Sequence, residues 1–223
     1  MSARRVLPPL LLRSPLAVAS LARNSPADRV PSHRTTFGAS AYAIDLVPLG
    51  ERGRSAPYTL ISFLVPEPPE RFAGFGAEVL APCAGVLRHV RDGEEDHLAH
   101  RGIPSVLYAL TQRRRLARGW DGLAGNHLIL EAELPGASSH GRTAFVALCH
   151  LQRGSLRVAP GDRVAAGEVL ARCGNSGNSM EPHVHLQAMD ALDPGRATAL
   201  PIAFPGGVPR SGQVLAGAGR PTG

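Results

Sequence analysis

Apolar residues in this chain fall in short runs separated by turn formers. The runs cover residues 41–47, 58–65, 78–82, 85–90, 127–133, 143–150, 164–173 and 184–188. Pro135-Gly136, Pro160-Gly161 and Ala166-Gly167 lie among them as turn signals. Runs of this length, bounded in this way, predict strands and a mostly β fold. Residues 78–82 and 85–90 read as hairpin partners around Cys83-Ala84. One stretch departs from the pattern. Over residues 104–120 the apolar positions Val106, Leu107, Leu110 and Leu116 suit a helix that begins at a proline. The 25 Gly and 20 Pro also favour short strands over long helices.

The two ends carry weaker patterns. Residues 1–23 read as a poorly specified leader. Arg4-Arg5 precedes an apolar stretch, but Pro8, Pro9 and Arg13 interrupt it and leave no clean signal peptide. No run approaches the roughly 18 apolar residues of a membrane span. Residues 206–223 read as a Pro/Gly-rich tail that frays toward its end.

The net charge is +6 and every basic residue is Arg. Acidic and basic residues are interspersed, so the balance reads as composition rather than as a binding surface. Arg113-Arg114-Arg115 with Arg118 is the densest cluster. It lacks the interleaved aromatics of a nucleic-acid surface, and no nucleic-acid partner is expected. The three cysteines, Cys83, Cys149 and Cys173, contain no Cys-x-x-Cys spacing, which excludes a Cys-rich zinc knuckle; buried thiols are expected.

The candidate chemistry lies in His183-Val184-His185-Leu186-Gln187. Histidines two apart in a strand project from one face, roughly 7 Å apart along the backbone. One imidazole can then hold a metal while the other overhangs the reacting water. A hydrolytic zinc site needs about three N or O ligands, an open position and a proton acceptor. No His-Glu-x-x-His is present, so the remaining histidines form the candidate pool. His150 stands out because it closes an apolar strand.

Several blocks in order resemble the lysostaphin/LytM-type zinc metallopeptidases, which share a duplicated hybrid β-motif. They are Val79-Leu80-Ala81-Pro82-Cys83-Ala84-Gly85-Val86-Leu87, Gly125-Asn126-His127-Leu128-Ile129-Leu130 and Val146-Ala147-Leu148-Cys149-His150-Leu151. Residues 158–171, Gly174-Asn175-Ser176-Gly177 and His183-Val184-His185 follow. The resemblance spans roughly residues 76–190. It implies an open antiparallel sheet whose concave face forms a groove, with a short helical insertion. It also implies zinc as cofactor, a peptidoglycan peptide as partner and an extracytoplasmic or cell-wall setting; a monomer is expected.

The same resemblance implies residue roles. His185 would be a zinc ligand, and His183 and His150 the catalytic histidines. The family's other ligands are a His and an Asp, usually spaced His-x-x-x-Asp. Ala43-Ile44-Asp45-Leu46 matches the Asp strand, but residue 41 is Ala. The only upstream histidine is His33, so His33, Asp45 and His185 form the expected ligand set. Asn126 and Glu181 are expected behind these residues as supporting groups.

The expected organisation is a leader (1–23), a metallopeptidase-like domain (24–205; core 76–190, helical insertion about 92–124) and the tail. The expected activity is zinc-dependent endopeptidase action on bacterial peptidoglycan. A degenerate module that binds cell wall or activates a partner hydrolase is the alternative, and it turns on whether His33 reaches Asp45. A biotinyl or lipoyl carrier, suggested by Gly161 to Leu170, fails because the chain has no lysine to modify.

Overall fold

A computed structural model describes residues 8–133 and 143–219. The turn at Pro135-Gly136 and His140 lie outside the described residues. The strands in chain order are β1 (Leu10–Leu11), β2 (Ser20–Arg23), β3 (Ile44–Pro48), β4 (Glu78–Leu80), β5 (Gly85–Arg91), β6 (Asn126–Ala132) and β7 (Phe145–Leu151). They continue as β8 (Arg163–Val164), β9 (Val169–Arg172), β10 (Val184–Met189), β11 (Ala199–Leu200), β12 (Ile202–Ala203) and β13 (Val214–Leu215). Three short helices lie between β5 and β6: α1 (Ile103–Leu110), α2 (Gln112–Leu116) and α3 (Gly119–Ala124).

The architecture is mostly β. The main sheet is antiparallel and runs β13-β2-β3-β10-β7-β6-β5-β8, with β11 on β10. β4 pairs with β9, and β1 lies parallel to β12. Strict alternation divides the central strands between two faces. Ile44 and Leu46 of β3, Val184, Leu186 and Ala188 of β10, and Val146 and Leu148 of β7 point to one side. There they join Leu128 and Leu130 of β6 in the principal buried cluster. The residues between them, including Asp45, His185, Gln187, Ala147 and Cys149, therefore face the opposite side. The apolar positions thus fix both the register and the face on which polar chemistry stands.

The structure differs from the sequence reading in four places. Residues 10–23, read as leader, belong to the fold: β2 pairs with β3, and Leu12 and Leu16 are buried in the principal cluster. The prolines that spoil an apolar signal suit a short edge segment instead. Residues 78–82 and 85–90 do not form a hairpin. One edge of β4 is taken by β9, and the Leu16–Val79 bridge occupies the other. β5 therefore pairs with β6 and β8. The single helix expected over 104–120 is broken at Thr111 and again at Ala117-Arg118. Finally, β13 carries the chain's C-terminal part back onto β2, and Leu215 packs on the core.

The cysteines are free thiols, with Cys149 and Cys173 fully buried. Burial pushes all three up, Cys83 to about 12, which leaves them protonated and unreactive.

His127 is fully buried, and its Nε2 lies 4.0 Å from Asp121 Oδ1. Its Nδ1–H donates to the Gly125 carbonyl at 2.7 Å, while Nε2 has no hydrogen bond. The ring stacks on His89 and meets the edge of Trp120. Burial lowers its pKa to about 4. The unfolded chain binds this proton near pH 6.5 and the folded chain does not. The contribution is therefore complete above pH 6.5 and is lost as pH falls toward 4, about 3 kcal/mol in all. Denaturant titrations of the wild type and His127→Phe between pH 7 and 4 should show a loss of stability smaller by about that amount in the variant.

Candidate metal and catalytic centre

Asp45 is the hub of the polar face. In β3 it stands opposite His185 of β10 and Arg23 of β2. His185 Nδ1 lies 2.9 Å from Asp45 Oδ1, and His33 Nε2 lies 3.1 Å from both carboxylate oxygens. Asn24 Nδ2 donates to Oδ2 at 2.7 Å. His183 Nε2 approaches Oδ1 at 3.6 Å. Burial works to raise the Asp45 pKa, but the neighbouring His33 and His183 outweigh it and hold the carboxyl well below its ordinary range.

His33 reaches Asp45 from a loop. The loop is closed by the Ser32 N–H donating to the Ala41 carbonyl at 2.9 Å. The buried Ser32 hydroxyl donates to the Ser40 carbonyl and so accepts from His33 Nδ1–H at 2.9 Å. That orientation points Nε2 toward Asp45 and toward a metal held beside it. His185 is set the other way round. Gln187 Nε2 donates to the Gly38 carbonyl, so Gln187 Oε1 accepts from His185 Nε2–H at 3.0 Å. The Nδ1 lone pair then faces Asp45. Each imidazole is oriented by a partner on its far nitrogen, the usual arrangement behind a ligating histidine.

One donor atom each from His33, Asp45 and His185 lies within 4.8 Å of the other two. Ligands about 2.0–2.2 Å from a shared tetrahedral centre stand roughly 3.4 Å apart. Two imidazole nitrogens and one carboxylate, with both lone pairs converging, therefore fit zinc and leave a fourth position.

His150 and His183 form a second pair beside this cluster. Their ring centroids are 4.7 Å apart, and the His150 and His185 centroids are 6.0 Å apart. By alternation His150 would face the apolar core, because its neighbour Cys149 faces the polar side. A bulge prevents this. The β6–β7 register shifts at this point, with His127 opposite Cys149 and Asn126 opposite Leu151. His150 takes φ of 63°, in the left-handed region. Cys149 and His150 thus share the polar side, and Leu151 returns to the core.

Backbone carbonyls fix the outer nitrogens of this pair. His150 Nδ1–H donates to Ser176 O at 2.9 Å, and His183 Nδ1–H donates to Glu181 O at 2.8 Å. His150 Nε2 remains available, while His183 Nε2 points toward Asp45 Oδ1 at 3.6 Å. Their electrostatics differ. Burial lowers the His150 pKa, aided by the two neighbouring histidines. Burial also acts to lower that of His183, but the Asp45 carboxylate more than offsets it and the net shift is upward.

Of the two supporting candidates, Glu181 touches the site through its backbone carbonyl. Its carboxylate is held by Arg23 at 2.6 Å and by Ser55 at 2.8 Å. Asn126 acts at one remove. Its side chain bonds Glu94 and Leu151, and its N–H donates to the Ser176 hydroxyl. Sequence reasoning missed Ser32, Ser176 and Gln187. Gln187 had a readable signal, since positions 183, 185 and 187 share one strand face. Ser32 and Ser176 lie in loops with no such period.

The centre opens into a groove of about 450 Å³. Phe37, Leu116, Trp120 and Leu123 give it apolar lining, and Arg23 and Glu181 add charge. Leu116 of α2 and Leu123 of α3 place the helical insertion on the groove wall.

Residues 116–194 match the model of peptidase family M23. The matched stretch contains His150, His183, His185 and Gln187 and begins well after His33 and Asp45. Over that stretch the match agrees with the likeness to lysostaphin/LytM-type peptidases read from the sequence. Among solved structures, the chain is similar to the catalytic domain of the antimicrobial peptidase lysostaphin from Staphylococcus simulans. The identity is 17%, covering 71% of this chain and 74% of that one, with a TM-score of 0.38. It is also similar to a zinc-containing peptidase from Vibrio cholerae, at 18% identity over 70% of this chain and 48% of that one, with a TM-score of 0.34.

The bulge gives a direct stability test. A left-handed residue at position 150 is easier for glycine than for any residue with a Cβ. His150→Gly should be more stable than His150→Ala by about 1 kcal/mol in urea unfolding. Equal stabilities would mean that the backbone at 150 is not held in the left-handed region.

Proposed function

We propose that the chain is a zinc-dependent endopeptidase that hydrolyses peptide bonds of bacterial peptidoglycan. The observation that carries this reading is the convergence of His33, Asp45 and His185 beside the His150–His183 pair. His33, Asp45 and His185 would hold the metal. Zinc, when bound there, supplies a Lewis acid that polarises the scissile carbonyl and lowers the pKa of the attacking water. The remaining work falls to the chain's own side chains.

His150 is the proton acceptor. Its Nδ1–H is committed to Ser176 O, its Nε2 lone pair is free, and burial favours the neutral ring. His183 is the donor. Its Nδ1–H is committed to Glu181 O, and the Asp45 carboxylate favours a protonated Nε2 that can hydrogen-bond the developing oxyanion. The proton gained at His150 Nε2 then passes to the leaving amine. The apolar wall at Trp120 and Leu123 shields the groove from water and positions the peptide. The peptidoglycan substrate rests on the family likeness. The 3.1 Å approach of His33 to Asp45 favours a working site over a degenerate module that has lost a ligand.

Purified wild type should carry about one zinc per chain by elemental analysis, and His33→Ala and His185→Ala should lose it. His150→Ala should keep the metal and lose at least 100-fold in hydrolysis of cell-wall peptide. Zinc retained in His33→Ala would remove His33 from the ligand set, and zinc lost in His150→Ala would contradict the separation of roles. Gln187→Ala should weaken zinc affinity by about 10–100-fold without abolishing binding, measured by competition with a chelator.

A further inference from the structure

The outer side of the helical insertion carries an inverted amphipathic pattern. In α1, Ile103, Val106, Leu107 and Leu110 follow i, i+3, i+4, i+7 spacing and form one stripe. A stripe of that kind normally packs on a core. Here all four side chains face solvent, Leu110 at 75% exposure. The helix turns Pro104 and Tyr108 inward instead, with the Tyr108 hydroxyl donating to Gly177 O at 2.9 Å.

The neighbouring segment repeats the inversion. Around the 3-10 turn Ile61–Phe63, the polar Ser62 is buried and hydrogen-bonded to Thr59. Leu60, at 87% exposure, and Ile61, Phe63, Leu64 and Val65 point outward. The two segments touch: Gly102, which leads into α1, packs on the Phe63 backbone so closely that a Cβ would stand 2.6 Å from its carbonyl oxygen. The two turns therefore form one exposed aliphatic surface, and a patch of this extent on a water-soluble face marks a contact site.

Charge selects the occupant. Residues 52–66 and 97–118 contain no Asp or Glu, while they contain seven Arg. Arg101 and Arg118 are paired with Glu67 and Glu94, and Arg115 lies over Tyr108. Arg113 and Arg114 of α2, which follow Leu110 across the break at Thr111, are exposed and form no ion pair among the described residues. Arg52 and Arg54, a few residues before the turn at 60–65 in the chain, are likewise exposed. A second copy of this face would set arginine against arginine. An exposed aliphatic helix face followed in the chain by unpaired arginines instead suits the interface of an anionic bilayer, with apolar side chains among the acyl chains and guanidinium groups at the phosphates.

We propose that α1 and the turn at residues 60–65 form a peripheral docking surface for anionic lipid membranes. Because α2 and α3 line the groove from the other side, docking would hold the groove mouth beside the bilayer. This inference does not depend on zinc or on hydrolysis.

Vesicle co-sedimentation of the full chain tests it, with phosphatidylcholine alone and with added phosphatidylglycerol. Wild type should partition onto the anionic vesicles and release at high salt. Leu107→Ser/Leu110→Ser, both at exposed positions, should partition at least about tenfold more weakly at unchanged circular dichroism. Arg113→Gln/Arg114→Gln should lose about 25-fold, near fivefold per arginine. No binding by the wild type would overturn the proposal. So would leucine variants that bind as the wild type does, since the apolar stripe would then be idle. A concentration-dependent dimer without lipid, abolished by the leucine substitutions, would also overturn it and assign the face to a second copy.

Discussion

The structure depends on one buried carboxylate. Asp45 collects His33 from a loop, His185 from the adjacent strand, and His183 from the segment that enters that strand. A lone carboxylate in such a place would take up a proton rather than stay charged. Here the surrounding imidazoles reverse the cost of burial, and the carboxyl stays ionised. The same arrangement gives His150 and His183 opposite electrostatic tendencies on neighbouring rings. Groups whose surroundings push their pKa values apart are a common basis for dividing acid and base work.

The sheet makes this possible through period-two alternation. Every core-facing Leu, Ile or Val in β3, β7 and β10 commits the next residue to the polar face. Asp45, His185 and Gln187 fall there with no special backbone geometry. His150 does not, and it needs the bulge between β6 and β7. Left-handed backbone at a residue with a Cβ persists only where the surroundings enforce it. Its partners, Ser176 O and the paired strand, provide that enforcement. Strain at one residue is thus tied to the position of a reactive nitrogen.

Much of this was legible in the sequence. The mostly β class followed from the length and punctuation of the apolar runs. The His183–His185 pair followed from alternation. His150 stood out because it closes an apolar strand, and Asp45 entered through the family resemblance, which matched Ala43-Ile44-Asp45-Leu46 to the Asp strand. Other features were hidden for physical reasons. β4 looked like a hairpin partner of β5 because a sequence shows adjacency but not which strand edges are already occupied. Residues 10–23 looked like leader because short edge strands carry too few residues for a periodic signal. The tautomers of His33 and His185 depend on Ser32 and Gln187, and hydrogen-bond partners of that kind appear only after folding. The aliphatic stripe of α1 was visible as a helical pattern, but its outward orientation was not.

X-ray absorption at the zinc edge of the metal-loaded protein tests the account most directly. It reads which atoms surround the metal, independently of activity. The account predicts a shell of nitrogen and oxygen only, with outer scattering from two imidazoles. Three imidazoles, or a sulfur from Cys149, would contradict the assignment of Asp45 as the hub of a two-histidine site.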